Sequence, residues 1–438
     1  MITEKIREYN KGIKTYIPRI IPQSYRDNPL TLNTIYKWVL IGLLIRFVFM
    51  PFACHGDLIS TYHRSYLILG GSTDLSLYTI VQLIQSFFLF IYQFFLPLEK
   101  LLLWPQNSLS VPTSFWLNEF AKNNMAYRAL FLFKIPYLIF DFGSAFIILH
   151  LFRENKKGIL AFKFWMVNPI GIFAIYIFAR YEIIPIFFIL LSLLLAKRDR
   201  PYLSLFSLGM SICGRIYPLM FLPFYIFTLG KNVKEKVSLL LVGIAPFLFS
   251  SFISTNFGSS PSHGKTFFES HFVDYMLNMN FNIGYGQTIY IFVTSYVLLT
   301  VYYIYFEGKK FDNLWEYSLM VLLLFYATSV FHPQYFAWFT PFIAIAITKY
   351  PKFLGLYGLQ IFCFVFYTFY WGRALAGFLF APVDPSFFVN LASPSEFINN
   401  FYPSLKLINL LRSTLSGISL LMLGVILYKK ITSRGGGE

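Results

Sequence analysis

Four short polar stretches in a largely apolar chain carry residue types that do chemistry. Asp57 closes the run Phe52-Ala53-Cys54-His55-Gly56-Asp57, and the others are Arg180-Tyr181-Glu182, Gly214-Arg215 and His332-Pro333-Gln334. A carboxylate placed like Asp57 is a candidate general base for a hydroxyl group. Fixed guanidiniums and an imidazole are the groups that stabilise growing charge on an anion such as a phosphate. Each stretch alone also has a plainer reading, as a solvated loop aspartate or as a turn reaching lipid head groups. Charge is expensive near a bilayer, so three tight turns supplying Arg, Glu, Arg, His and Gln together demand a reason.

Whether these turns share a face depends on the elements between them. The chain has 438 residues, of which 57% are hydrophobic, 21% aromatic and only 13% charged. Its net charge of +16 is concentrated in short joints such as Arg153-Glu154-Asn155-Lys156-Lys157, Lys197-Arg198-Asp199-Arg200, Lys231 to Lys236, Lys349 to Lys352 and Lys429-Lys430. Basic joints between apolar segments mark a polytopic membrane protein with those joints in the cytoplasm. The charge is then a topology determinant and an attraction to anionic lipid, and nucleic acid is not an expected partner. Cys54, Cys213 and Cys363 show no metal spacing, and a disulfide framework is not expected. A cleavable signal peptide is not expected either, because the first thirty or so residues are polar and basic.

The fold expected is therefore all-α, with about twelve transmembrane helices in one membrane domain spanning 1–438. The crossings fall at about 33–52, 129–152, 159–179, 183–196, 201–213, 215–230, 237–255, 285–306, 314–331, 335–348, 353–372 and 409–428. Several are shorter than the ~20 residues of a straight span, which is tolerated where a segment faces protein or a wet cavity. Residues 1–32 form a basic cytoplasmic segment, and 429–438 a cytoplasmic tail. Residues 53–127 form a long external loop, in which 77–104 is expected to supply one or two helices lying in the interface; a short helical hairpin through the membrane satisfies the same constraint. This threading puts Asp57 and all three polar turns on the non-cytoplasmic side.

Three charges fall within the spans. Arg46 lies about one and a half turns below the outer end of the first crossing, where it must snorkel or find a partner. Lys134 and Asp141 are two turns apart on the second crossing and cannot pair directly. Asp141 is expected to act as polar glue between helices. Lys134 and Arg46, nearer the outer surface, are candidates to meet a lipid phosphate.

Asn168-Pro169, Ala179-Arg180-Tyr181-Glu182-Ile183-Ile184-Pro185 and Gly214-Arg215-Ile216-Tyr217-Pro218, taken in order, resemble the polyprenyl-phosphate-sugar-dependent glycosyltransferases of the GT-C class. The likeness is greatest to the mannosyltransferases that include the catalytic subunit of GPI mannosyltransferase I and its prokaryotic relatives. Phe331-His332-Pro333-Gln334-Tyr335-Phe336-Ala337-Trp338 resembles that family's later His/Asn-x-Gln-Tyr-Phe-x-Trp segment, and Arg46 with Pro51 and the Asp57 loop resembles its opening. The likeness covers roughly residues 40–350. Where some relatives carry Asp-x-Asp, this loop reads His-Gly-Asp-Leu-Ile, which weakens a metal assignment.

The resemblance implies inverting transfer of a hexose, mannose or glucose, from a polyprenyl-phosphate donor to a lipid-linked or glycan acceptor. One base suffices for that reaction, since phosphate leaves without protonation, whereas glycoside hydrolysis needs a second carboxylic acid. Asp57 would be the base. Arg46, His55, Arg180, Arg215 and His332 would face the donor phosphate, Glu182 would hold an arginine or orient sugar hydroxyls, and Gln334 would donate to sugar or phosphate. No cofactor is required by this scheme, and dependence on Mg or Mn is left to a test in chelator. Two other classes remain open: a transporter or flippase of lipid-linked sugars, and a non-catalytic subunit of similar architecture.

Overall fold

The computed structural model describes residues 20–73, 78–102, 113–257, 271–308 and 310–435. Most of the expected N-terminal segment, parts of the loops 53–127 and 256–284, and the last three residues of the tail lie outside the described residues.

The described chain is mostly helical, as an integral membrane protein of this composition should be. Six helices are long and apolar enough to cross a membrane: Pro29–Phe49, Ala126–His150, Asn155–Ile177, Val233–Ile253, Phe353–Leu375 and Ser404–Thr432. Five further apolar helices, including Ile183–Lys197, Pro201–Ile212 and Ile291–Phe306, run only 10–17 residues. The helices used below are α1 (Pro29–Phe49), α2 (Gly56–Leu69), α3 (Thr79–Tyr92), α4 (Ile135–Leu151), α5 (Asn155–Val167), α6 (Ile183–Lys197), α7 (Pro201–Ile212), α8 (Val233–Phe257), α9 (His271–Leu277), α10 (Ile291–Phe306), α11 (Phe311–Thr328), α12 (Thr340–Lys349), α13 (Phe353–Thr368) and α14 (Ser404–Gly435).

Short connections make sequential helices neighbours: α4 packs on α5 and α6, α6 on α7, and α7 on α8. The last helix, α14, packs against both α11 and α13. Helix α11 is the hub, with every residue from Asn313 to Thr328 buried. A helix apolar all round has no solvent face and belongs at the centre of a bundle.

One segment departs from the expected crossings. Residues 285–290 belong to an antiparallel β-hairpin, Asn280–Gly284 with Gln287–Tyr290, and helix α10 begins only at Ile291. Gly284, Tyr285 and Gly286 all have positive φ, so the turn they make stops a helix from extending backwards through them.

In the stretch 77–104, helix α3 has inverted polarity. Gln82, Gln85 and Ser86 point into the protein while Leu83, Phe87 and Phe90 are exposed. Gln85 donates to the Tyr137 hydroxyl at 2.8 Å and accepts from Ser65 at 2.8 Å, which fixes α3 to α4 and α2. A helix that hides amides and shows phenylalanine is built for lipid on its outer side.

Helix α6 has Glu182 at its start and Lys197 at its end, about 22 Å apart at the rise of an α-helix. Helices α11 and α12 repeat the arrangement: Lys349 and Lys430 hold the Glu316 carboxylate at 2.7 and 2.6 Å, while His332 and Trp338 lie at the opposite ends of these helices. The basic joints and the polar turns thus occupy opposite ends of the bundle.

Candidate functional site

The site begins where α1 ends. Helix α2 opens at Gly56 with His55 as its N-cap, and the His55 Nδ1 accepts the Asp57 backbone N–H at 3.2 Å. The His55 ring stacks on Phe178, with centroids 4.4 Å apart, and the His55 N–H donates to the Phe178 carbonyl. These contacts hold the Asp57 loop against the segment that carries Arg180.

That segment has an irregular backbone. The span Asn155–Ile177 is interrupted at Asn168-Pro169, where the Asn168 Oδ1 caps the N–H groups of Ile170 and Gly171 and accepts the Tyr357 hydroxyl. Residues Phe173–Ile177 then form a π-helical turn, and Ala179 takes a φ of 62°, rare for a residue with a Cβ. The distorted exit delivers Arg180, whose Nη1 lies 2.8 Å from the Asp57 Oδ2.

Two residues on, Glu182 occupies the positive end of α6 and is fully buried. Arg215 meets it with a forked contact, Nε to Oε1 at 3.0 Å and to Oε2 at 3.2 Å, joined by Nη2 to Oε1. The Trp338 indole N–H donates to the Glu182 Oε2 at 2.6 Å. Arg215 reaches this place because Gly214 lies close to Ile80 and Pro185, leaving little room for a side chain.

Aromatic rings bind these pairs into one cluster. The guanidiniums of Arg180 and Arg215 both lie over Tyr181, 4.9 and 4.5 Å from its centroid, and Arg215 also lies over Tyr78 and Tyr335. Such cation–π contacts hold a charge where water is scarce. Tyr217 and Tyr335 both stack on Trp338, at 4.0 and 4.1 Å. The His332 Nε2 lies 2.8 Å from the Tyr275 hydroxyl, which ties α9 to the cluster.

Electrostatics confirm that the groups feel one another. Burial alone would raise the Asp57 carboxyl, but the Arg180 guanidinium and the His55 ring outweigh it and hold it well below the usual carboxylate range. Burial lowers His332 from its ordinary value, and Arg180, Arg215 and His55 lower it further against the opposing pull of Asp57. The surroundings of His332 thus favour its neutral form.

Of the residues nominated from sequence, His55, Asp57, Arg180, Glu182, Arg215 and His332 come together. Gln334 lies on the same turn as Tyr335, buried, with its Oε1 taking no hydrogen bond among the described residues. Arg46 is directed elsewhere. Its Nε meets the Asp141 Oδ2 at 2.6 Å, and its Nη1 donates to the carbonyls of Gly42 and Met166. Trp165 and Tyr176 also donate to Asp141, so this is a closed intramembrane ion pair and none of Arg46's partners belongs to the Asp57 cluster. A fully buried guanidinium needs a counter-charge, and Asp141 supplies it.

Lys134 likewise does not face lipid. Its three N–H donors are shared among the carbonyls of Phe49, Met50, Ala53 and Tyr176, clasping the end of α1 to the π-helical turn. Sequence reasoning missed the rings of Tyr78, Tyr181, Tyr275 and Trp338; only the three-residue spacing of Tyr335 and Trp338, which puts them on one helical face, hinted at the stack.

Beside the cluster lies an apolar cavity of about 250 Å³, lined by residues including Ile216, Met220, Phe272, Met276, Phe292 and Tyr296. Its lining is apolar throughout, and it reaches the cluster only through Ile216, which follows Arg215, and Phe272, which packs edge-on to Trp338. No protein-family model, curated protein or solved structure matches this chain.

Proposed function

We propose that this chain is a membrane glycosyltransferase of the GT-C kind, transferring a hexose (mannose or glucose) from a polyprenyl-phosphate donor to a lipid-linked or glycan acceptor, with inversion. The carrying observation is the convergence of one carboxylate, Asp57, with Arg180, Arg215 and His332, one residue removed from an apolar cavity at Ile216. A donor with an anionic head and a hydrocarbon tail presents the same pair of chemistries. In this reading the chain crosses the membrane about twelve times, keeps both termini in the cytoplasm, and works on the outer or lumenal face of a plasma or endoplasmic-reticulum membrane. The separation of the cluster from the basic joints supports that orientation.

In the reaction, Asp57 takes the proton of the acceptor hydroxyl as its oxygen bonds to the anomeric carbon. The bond from that carbon to the phosphate oxygen breaks, and its electron pair leaves with the phosphate, so no second acid is needed. Arg180 and Arg215 receive the charge that collects there. In the pair described above, Arg180 keeps Asp57 a weak base. As the guanidinium turns to the phosphate, the carboxylate loses that neighbour and its basicity rises, so acceptor activation follows donor binding.

A transporter would be expected to keep open polar groups near the middle of the bundle, whereas here the mid-span Arg46–Asp141 pair is closed by its own partners and the remaining cluster lies at one end. Asp57→Asn in purified protein, assayed with radiolabelled lipid-linked sugars, is expected to lower transfer by about 10²–10⁴-fold while donor lipid is retained. Undiminished transfer by this variant removes Asp57 from the role of base. A scaffold or flippase would show no transfer in the unaltered protein either.

A further inference from the structure

From Tyr275 near the end of α9 to Phe306 at the end of α10 the chain has no Asp, Glu, Lys or Arg, although this stretch includes the exposed hairpin. The hairpin pairs Phe281 with Ile289 and Asn282 with Thr288, so alternation puts Phe281, Ile283 and Ile289 on one face and Asn280, Asn282, Thr288 and Tyr290 on the other. The first strand is open on both faces, but on the second the apolar side is the more exposed: Ile289 is open like Phe281 and Ile283, whereas Thr288 and Tyr290 are half-buried. At the tip, Tyr285 is fully exposed at a φ of 52°, between two glycines that also have positive φ. A bulky ring in that backbone conformation is unfavourable in an ordinary solvent turn, where Asn or Gly would serve.

We infer that this hairpin is a membrane-interface anchor, its Phe281, Ile283, Tyr285 and Ile289 face seated in the head-group region of the bilayer. Three observations select lipid as the occupant. The hairpin base is bonded directly to α10, the Ile291 N–H donating to the Met279 carbonyl at 3.1 Å. From there the exposed apolar surface continues along Val293, Val297, Leu298 and Val301 of that helix. Both outer strand edges keep unpaired backbone groups in a two-stranded sheet, which bars deep insertion but suits a hydrated interface. Aromatic and aliphatic side chains flanked by asparagines, without charge, are the composition of such a belt. Because Leu277 and Phe292 flank the hairpin and line the apolar cavity, the anchor would hold the cavity's border at lipid level. The inference does not depend on sugar transfer.

The native cysteines Cys54, Cys213 and Cys363 are buried, so single surface cysteines can be labelled selectively. Full-length Ile283→Cys, Tyr285→Cys and Asn282→Cys proteins, carrying an environment-sensitive fluorophore, are reconstituted in phosphatidylcholine nanodiscs with shallow nitroxide-labelled lipid. Labels at 283 and 285 are expected to lose about two-fold or more of their emission to the lipid nitroxide and to resist aqueous iodide, with 282 showing the reverse. Quenching of 283 and 285 by iodide alone overturns the proposal by placing the hairpin in water. Exclusion of both quenchers overturns it too, by placing the face against protein, such as a second copy of the chain. Phe281→Cys and Ile289→Cys report on the same face should either variant fail to fold.

Discussion

The Lys134 ammonium lies 2.9 Å from the Tyr176 carbonyl, and through it the end of the first span is tied to the turn that delivers Arg180. The same nitrogen holds the Met50 carbonyl at 2.9 Å, just before the loop bearing His55 and Asp57. One buried cation thus sets the spacing between two halves of the candidate site. Replacing it with methionine preserves bulk and leaves four carbonyls without their donor. Lys134→Met is expected to lose about 2–4 kcal/mol of stability. A thermal melt in detergent matching the unaltered protein would contradict this.

Arg46 and Asp141 form the second polar centre, buried on both sides. Removing one partner strands the other, so Arg46→Leu or Asp141→Leu alone is expected to cost about 3–5 kcal/mol, and the double variant less than the sum. Melting temperatures of the four proteins in the cycle decide it; additivity would mean that the pair is not coupled.

Arg180 is the principal cation holding Asp57 below its usual range. In Arg180→Gln the carboxyl therefore titrates at higher pH. The acidic limb of the kcat/KM profile, which reports the donor-free enzyme, is expected to move upward, while turnover falls about 10²-fold through the lost phosphate contact. An unmoved limb would separate Arg180 from the base.

For His332 the sign is fixed by its lowered pKa. The unfolded chain takes up its proton near 6.5 while the folded chain resists, so stability falls as pH drops through 6.5 toward the depressed value. Asp57, also depressed, contributes stability above 3.8 and loses it only below that, outside this window. His332→Gln is expected to flatten the decline between about pH 6.5 and 5. Melts across that range in both proteins test it, and identical slopes would count against the assignment.

Ala179 is held at a φ of 62° just ahead of Arg180. Glycine adopts that angle freely, so Ala179→Gly is expected to hold or raise stability, by up to about 1 kcal/mol. A marked loss in a denaturation assay would show that the Cβ packs more than it strains.

The turn motifs were legible because charge between apolar runs is costly wherever it sits, so Arg180, Glu182, Arg215 and His332 stood out without any structure. The partner of Arg46 was not, since Asp141 is 95 residues away and its choice depends on which helices touch. Lys134 misled for a related reason. A buried ammonium was expected to seek an anion, and backbone carbonyls carry no mark in a sequence. The hairpin vanished into the crossing expected at 285–306 because Ile289 and Tyr290 run unbroken in hydropathy into α10, leaving only Gly284 and Gly286 as signs. Six helices reach spanning length, and the shorter apolar ones carry in composition alone the mark of a crossing.

The pairing of Asp57 with Arg180 and of Glu182 with Arg215 leaves these four groups with zero net charge. Once the segments have packed, a self-neutralised quartet can rest in a low-dielectric setting without a bound counter-ion. Any anion that then enters breaks this parity, and the ensuing rearrangement of partners records its arrival.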